Sequence, residues 1–312
     1  MKIAVFGAGG IGAYVGARLA RAGHPVALIA RGAHADAMRA GGVHIQAPDG
    51  HWSVHPRLVT DDVRQVGSAD VVILATKTYH LATILPQVTV LLGARTQLLT
   101  LQNGVEAFDQ VATAYGNAAT LAGTMYCELS VADPGVIRSG IEPVRMTFGP
   151  IAGLPVSPMA QAFATACTEA GIQTSLVRSG EQAVWSKAIF VAAMSAVTTI
   201  GGVGIGSLLA DPPAVALLTA ALQEAHAVAR ASGVHFDDDP VAQALAIARV
   251  MPDTTRSSMS RDLEHGRPLE VEALSGAIVR RGAALAVPTP VNQALYALLR
   301  LRTTQPAKES SA

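Results

Sequence analysis

The chain has 312 residues, 50% of them hydrophobic and 15% charged, with 23 Lys and Arg balanced against 23 Asp and Glu. The length suits two domains rather than one core, and the apolar content excludes a disordered scaffold. The zero formal charge removes the positive field that would hold a polyanion, which excludes dedicated nucleic-acid binding.

Short apolar runs alternate with helix-like stretches through the first half, the pattern of β-α units that build a parallel sheet buried on both faces. Strands are predicted at residues 2–6, 25–30, 71–76, 97–101 and 121–126, with helices after the first, third and fourth. Met1-Lys2 leads straight into the first apolar run. That run has neither the length of a signal-peptide core nor a cleavage site after it, so a cytoplasmic protein is expected.

After the first strand comes Gly7-Ala8-Gly9-Gly10-Ile11-Gly12, a G-x-G-x-x-G turn that opens a helix. Gly7 permits the tight turn, Gly9 lets the backbone approach a pyrophosphate, and Gly12 lets helix and strand pack closely. The helix N-terminus aims free N–H groups at the phosphate. A merely flexible glycine turn is the competing reading; the strand before and the helix after favour dinucleotide binding. At the end of the second strand an NAD site would carry a carboxylate for the ribose 2′-hydroxyl. The chain instead reads Leu28-Ile29-Ala30-Arg31-Gly32, with Arg31 19 residues past Gly12. A guanidinium there grips a 2′-phosphate that a carboxylate would repel, so NADP(H) is expected; a solvated surface arginine is the alternative. Lys77, at the carboxyl edge of the third strand, either assists Arg31 or is simply solvated.

Residues 43–46 and 51–55 alternate at period two around Pro48-Asp49-Gly50 and predict a β-hairpin decorating the main sheet. His51 and His55 lie within it, where their spacing does not build a helical metal site, and no metal is expected. Gln102-Asn103-Gly104 follows the fourth strand, where Asn103 can face a nicotinamide. The two cysteines, Cys127 and Cys167, form no C-x-x-C pair. Neither a disulfide framework nor a zinc site is expected, a reducing compartment fits, and Cys127 reads as a small packed residue.

From Glu181 onward the alternation gives way to Ala/Leu-rich stretches at helical spacing, at 214–232, 240–250 and 269–285. They predict an all-helical second half. Pro212-Pro213 suits a helix start and Gly233 its end, and Pro288-Thr289-Pro290 precedes a last helix ending near Arg302. Residues 188–210 carry no charge and are nominally long enough to span a bilayer. Gly201, Gly202, Gly204 and Gly206, with Ser195, Thr198 and Thr199, argue instead for a buried core helix followed by a turn, so no membrane partner is expected.

Trp185-Ser186-Lys187 places one lysine at the head of that apolar helix. Partial burial would bring its pKa toward working pH and suit it to donate a proton; a snorkelling helix-end lysine is the alternative. The expected division is 1–178 for the dinucleotide domain, 179–302 for a helical substrate domain and 303–312 for a flexible tail. The apolar helices leave room for a homodimer.

Ser257-Ser258-Met259, then Asp262, then Gly266-Arg267-Pro268-Leu269-Glu270 complete a set with the glycine turn, Gln102-Asn103-Gly104 and Trp185-x-Lys187. Together they resemble the ketopantoate reductase (2-dehydropantoate 2-reductase) family over nearly the whole chain, and Pro288-Thr289-Pro290-x-Asn292 is similar to its C-terminal pattern. The resemblance implies an α/β Rossmann-type N-terminal domain followed by an all-α domain of the 6-phosphogluconate dehydrogenase C-terminal type. It also implies NADPH-dependent reduction of a small 2-keto acid, 2-dehydropantoate to pantoate in pantothenate biosynthesis. Lys187 would stabilise and protonate the developing alkoxide. Glu270 would bind the substrate hydroxyl, orient the lysine and reach the cofactor, Ser258 would contact the carboxylate, and Asn103 would orient nicotinamide and substrate.

The family helix usually continues from the lysine as K-x-x-x-N-x-x-x-N, whereas this chain has Val191 and Ser195 there, and Ser275 where an asparagine often precedes Gly276. An isopropyl group and a hydroxyl in place of two amides make that wall of the substrate site more apolar. A less polar 2-keto acid, ketone or imine therefore stands beside ketopantoate as a substrate. A non-catalytic NADPH-binding sensor is the reading from another class.

Overall fold

The structure, a computed structural model, describes residues 1–303. Thr303 closes the last helix, and the remainder of the expected tail lies outside the described residues. The chain divides into two compact units: Met1–Gln102 with Ala107–Val184, and Asn103–Glu106 with the residues from Trp185 onward.

The first unit runs β1 (Ile3–Phe6), α1 (Gly10–Arg21), β2 (Val26–Ile29), α2 (Gly32–Gly41), β3 (Val43–Ala47), β4 (Gly50–Val54) and β5 (Leu58–Thr60). It continues through β6 (Val71–Leu74), α3 (Leu81–Val88), β7 (Gln97–Thr100), α4 (Ala107–Tyr115) and β8 (Thr120–Tyr126). It closes with β9 (Leu129–Asp133), β10 (Val136–Ser139), β11 (Arg145–Pro150), α5 (Pro158–Glu169) and β12 (Gln173–Leu176). The main sheet has eight strands in the order β12-β11-β8-β7-β6-β1-β2-β5. The pleat sends Ile3 and Val5 of β1, Val71 and Ile73 of β6, and Leu99 of β7 into one apolar core. Ala4, Phe6, Val72, Leu74 and Leu98 enter the core on the opposite face. Two-sided burial is why these strands are continuous apolar runs.

All five predicted strands are present; the structure adds β5, β9, β10, β11, β12 and α5, which the sequence reading leaves unassigned, and three further features differ from it. A helix, α2, follows the second strand; only Ala35 and Met38 of it are buried, so its apolar periodicity is faint. The sheet is mixed rather than parallel, since β11 pairs antiparallel with β8. After β8 the chain passes through two short strands before returning, and without a helical crossover the return is antiparallel. The predicted hairpin exists as β3 and β4, but it belongs to a second sheet of order β4-β3-β10-β9 rather than to the main one. Its partner β10 joins β3 in parallel, a pairing too distant in sequence for local pattern to show.

This small sheet is fastened to α1. Tyr14 donates from its hydroxyl to Glu142 Oε1 at 2.6 Å, and Arg18 Nε donates to Tyr14 at 2.9 Å. The guanidinium groups of Arg18 and Arg21 lie 5.1 and 4.6 Å from the Trp52 ring centroid, within cation–π range.

The second unit contains most of α6 (Gly180–Gly201), then α7 (Ile205–Leu209), α8 (Pro212–Ala231), α9 (Pro240–Val250), α10 (Ser258–Glu264), α11 (Ala277–Ala284) and α12 (Pro290–Thr303). The division into compact units falls inside α6, between Val184 and Trp185. Asp211 caps α8 by accepting from Ala214 N–H, and Asp239 caps α9 by accepting from Val241 N–H, each just ahead of a proline at the first helical position. The helix predicted at 269–285 begins late: the chain is irregular through Glu270, makes a π-helical turn at Glu272–Gly276 and only then enters α11. Pro268 disfavours helical backbone at Arg267. Gly276 N–H bonds back to Val271 O at 2.9 Å, the five-residue reach of a π turn. By length and composition α6 could cross a membrane, but 72% of its apolar window is buried in the protein, as in a core helix.

Candidate active site

In the first unit the glycine turn joins β1 to α1. Gly7 sits at φ +95°, where a Cβ would come within 2.6 Å of Thr76, so only glycine fits. A Cβ at Gly12 would lie 2.2 Å from the Gly7 carbonyl oxygen, which is the helix–strand approach the motif requires. A Cβ at Gly9, by contrast, would meet nothing within 4 Å. Gly9 is exposed, and α1 has neither a side-chain cap nor an acidic residue in its first turn. Open space before uncapped N–H groups at a positive helix end fits a pyrophosphate. Ala8 is buried behind this turn, while Gly10 and Ile11 are partly exposed.

Arg31 is the exposed N-cap residue of α2, at the carboxyl end of β2. Lys77 is partly exposed just after β6, ahead of a short helical turn at Thr78–His80. Gln102 donates from Nε2 to the Thr76 carbonyl at 3.0 Å and to Thr76 Oγ1 at 3.1 Å, which ties the end of β7 to the residue that packs on Gly7. Its Oε1 is buried without a hydrogen-bond partner.

In the second unit Lys187 Nζ donates to Asn103 Oδ1 at 3.0 Å. Residues 84 apart in sequence are thereby joined. The segment Asn103–Glu106 owes its place to three further ties. Gly104, at φ +86°, packs so closely that a Cβ would lie 2.1 Å from the Ala273 carbonyl oxygen. Arg281 donates to the Val105 carbonyl at 3.0 Å, with its guanidinium 5.7 Å from the Trp185 ring centroid. Burial pushes the Arg281 pKa below its usual value, the cost of removing a cation from water. Arg280 grips both oxygens of Glu106, at 3.3 and 2.7 Å, and reaches Glu272 at 2.7 Å. Glu272 also accepts from the Tyr296 hydroxyl at 2.8 Å.

The other expected residues scatter. Val191, one turn after Lys187 on α6, is partly exposed, whereas Ser195, a further turn on, is wholly buried with its hydroxyl unpartnered. Ser275 is also buried and unpartnered, in the π turn. Glu270 is buried at 8% exposure. Ser258 is exposed at the first position of α10; its neighbour Ser257 caps that helix and shares a buried hydroxyl cluster with Thr199 and Ser260. Sequence reasoning did not find Glu106, Arg280 or Arg281, because the Arg280–Glu106 and Arg281–Val105 bonds join residues 174 and 176 apart. Burial raises the Cys167 thiol well above its usual pKa, which leaves it inert.

Two family models match the chain: ketopantoate reductase PanE/ApbA over residues 3–153 and ketopantoate reductase PanE/ApbA C terminal over residues 180–303. The 2-dehydropantoate 2-reductase of Halobacterium salinarum is 31% identical over 307 residues, covering 96% of this chain and 98% of that protein. The corresponding Mesorhizobium japonicum protein is 30% identical, covering 96% and 97%. Among solved structures, a PanE/ApbA family ketopantoate reductase from Ralstonia eutropha JMP134 is 32% identical, with a TM-score of 0.88 over 97% of this chain and 98% of that one.

Proposed function

Because the chain belongs to the ketopantoate reductase family of oxidoreductases, we propose that it reduces 2-dehydropantoate to pantoate with NADPH. The observation that carries this reading is the 3.0 Å bond from Lys187 to Asn103, a proton-bearing amine held in a fixed direction beside an amide. When bound, the reduced nicotinamide supplies the hydride that turns the ketone carbon into an alcohol carbon. The glycine turn with the first turn of α1 holds the pyrophosphate, Arg31 takes the 2′-phosphate, and Lys77 adds positive charge at the same sheet edge. Lys187 stabilises the negative charge that develops on the carbonyl oxygen, then passes it a proton from Nζ and is left as a neutral amine to be recharged from solvent. Asn103 holds the amine by accepting one of its hydrogens. Glu270 accepts from the substrate hydroxyl and steadies the lysine, and Ser258 binds the substrate carboxylate.

A second reading concerns substrate breadth. Val191 offers methyl groups one helical turn from Lys187, and the Ser195 hydroxyl is out of reach of solvent, so the α6 wall favours a less polar 2-keto acid. Steady-state NADPH oxidation with 2-dehydropantoate beside 2-keto acids bearing aliphatic or aromatic side chains tests both readings. Efficient turnover of 2-dehydropantoate supports the first; turnover of the apolar acids alone supports the second. A chain that binds NADPH and turns over none of them, nor ketones or imines of similar size, is a sensor rather than a reductase.

A further inference from the structure

The His34 imidazole is bonded at both ring nitrogens to backbone from different parts of the first unit. The Gly135 N–H, in the turn between β9 and β10, donates to Nδ1 at 2.9 Å. A nitrogen that accepts carries no hydrogen, so the hydrogen is on Nε2, which faces the Ala8 carbonyl at 2.9 Å and donates to it. We propose that His34, in this Nε2–H tautomer, is a positioning residue for cofactor binding that locks the glycine turn and the Arg31 end of α2 into one geometry. The inference rests on the cofactor reading above and extends it to a residue whose two ring bonds are both to backbone.

Two struts of this arrangement lead to the cofactor site. Ala8 lies between Gly7 and Gly9, and the N–H groups of Gly7 and Ala8 both donate to the Ile29 carbonyl at the end of β2, at 3.0 and 3.4 Å. His34 lies in the first turn of α2, three residues after its N-cap Arg31. The third strut is anchored in turn: the Gly135 carbonyl accepts from His44 N–H of β3 at 2.9 Å, and a Cβ on Gly135 would press to 3.1 Å from Ala37 of α2. The ring thus fixes the spacing between the turn assigned to the pyrophosphate and the arginine assigned to the 2′-phosphate. NADPH binding requires both ends at once, and discrimination against NADH requires the Arg31 end most. Burial lowers the pKa of His34, which keeps the ring in the neutral form that the two bonds demand.

Three variants test this in the full-length chain: His34→Ala, His34→Phe, which keeps a ring and loses both bonds, and His34→Gln. The glutamine amide can donate to Ala8 and accept from Gly135 as the imidazole does. NADPH and NADH affinities are read by quenching of reduced-nicotinamide fluorescence, with kcat and KM for the cofactor measured alongside. Ala and Phe should weaken NADPH about tenfold, the equivalent of roughly one lost hydrogen bond. They should narrow its advantage over NADH and raise cofactor KM with little change in kcat, and Gln should recover most of the loss. If Ala does not fold, the Phe and Gln comparison decides alone. NADPH affinity within twofold of wild type in Phe, or a Gln variant as weak as Phe, overturns the inference and leaves the cofactor reading standing. A wild-type chain that binds neither cofactor overturns both.

Discussion

Substituting Gly104 with alanine tests whether the Lys187–Asn103 pair depends on its backing. The new Cβ would lie 2.1 Å from the Ala273 carbonyl oxygen, so backbone on one side must retreat by about 1.3 Å to regain ordinary contact. The φ of +86° adds roughly 1–2 kcal/mol of strain for a residue with a side chain. Both escape routes damage the site. If the 103–106 segment moves, Asn103 leaves its 3.0 Å bond with Lys187. If Ala273 moves, it takes with it the π turn that follows Glu270. A misplacement of about 1 Å costs on the order of 100-fold in rate, so kcat for the keto acid should fall about that much in a protein that still melts cooperatively, a few degrees lower. The assay is steady-state turnover at saturating NADPH, paired with thermal denaturation of the same preparation. A Gly104→Ala protein that melts like wild type and turns over within threefold of it would refute the reasoning.

Lys187→Ala should lower kcat about 100-fold or more and leave NADPH affinity, read by fluorescence titration, nearly unchanged; undiminished turnover would remove Lys187 from proton donation. Arg31→Ala should weaken NADPH about tenfold or more while NADH binding barely changes, since only NADPH carries the 2′-phosphate; equal losses for both would make Arg31 structural. Burial lowers the pKa of His24, His34 and His226 in the folded chain. The unfolded chain therefore binds more protons once pH drops below about 6.5, so the stability these rings contribute is intact above that value and is lost as pH falls through their folded pKa values. Thermal midpoints from pH 7.5 to 5 should show this decline, and His34→Gln, which cannot titrate, should reduce it; an unchanged slope in that variant would count against His34 as a contributor.

Five strands of the main sheet, β1, β2, β6, β7 and β8, are legible in the sequence because they are buried on both faces and must be apolar throughout, as Val71-Val72-Ile73-Leu74 shows. Two strands that the sequence pattern does not show, β9 and β12, obey no such rule. In β9, Leu129-Ser130-Val131-Ala132-Asp133 is partly or wholly exposed, and β12 alternates exposed with partly exposed positions, so neither pattern stands out from a loop. The small sheet is fixed by long-range pairing of β10 with β3, which local periodicity does not encode. At the candidate site the split is the same. The glycine turn announces itself because strand, glycines and helix are contiguous, and Lys187 because it is a cation heading an apolar helix. That Lys187 meets Asn103, and that Arg280 and Arg281 hold the segment behind Asn103, are facts of tertiary packing between residues 84 to 176 apart.

The membership of Asn103–Glu106 in the second unit bears on how such a protein can be taken apart. A chain ended after Val184 would contain these four residues without Ala273, Arg280 and Arg281, leaving a buried glycine and valine with nothing to lie against. A chain begun at Trp185 would keep Lys187 and lose the amide that orients it. The boundary is interlaced rather than end to end, so recombination that exchanged one half for a relative's would import a mismatched Asn103 segment into the new partner. Shuffling by whole halves would then fail at four residues in the middle of the first, and a functional chimera would have to carry residues 103–106 across with the second half.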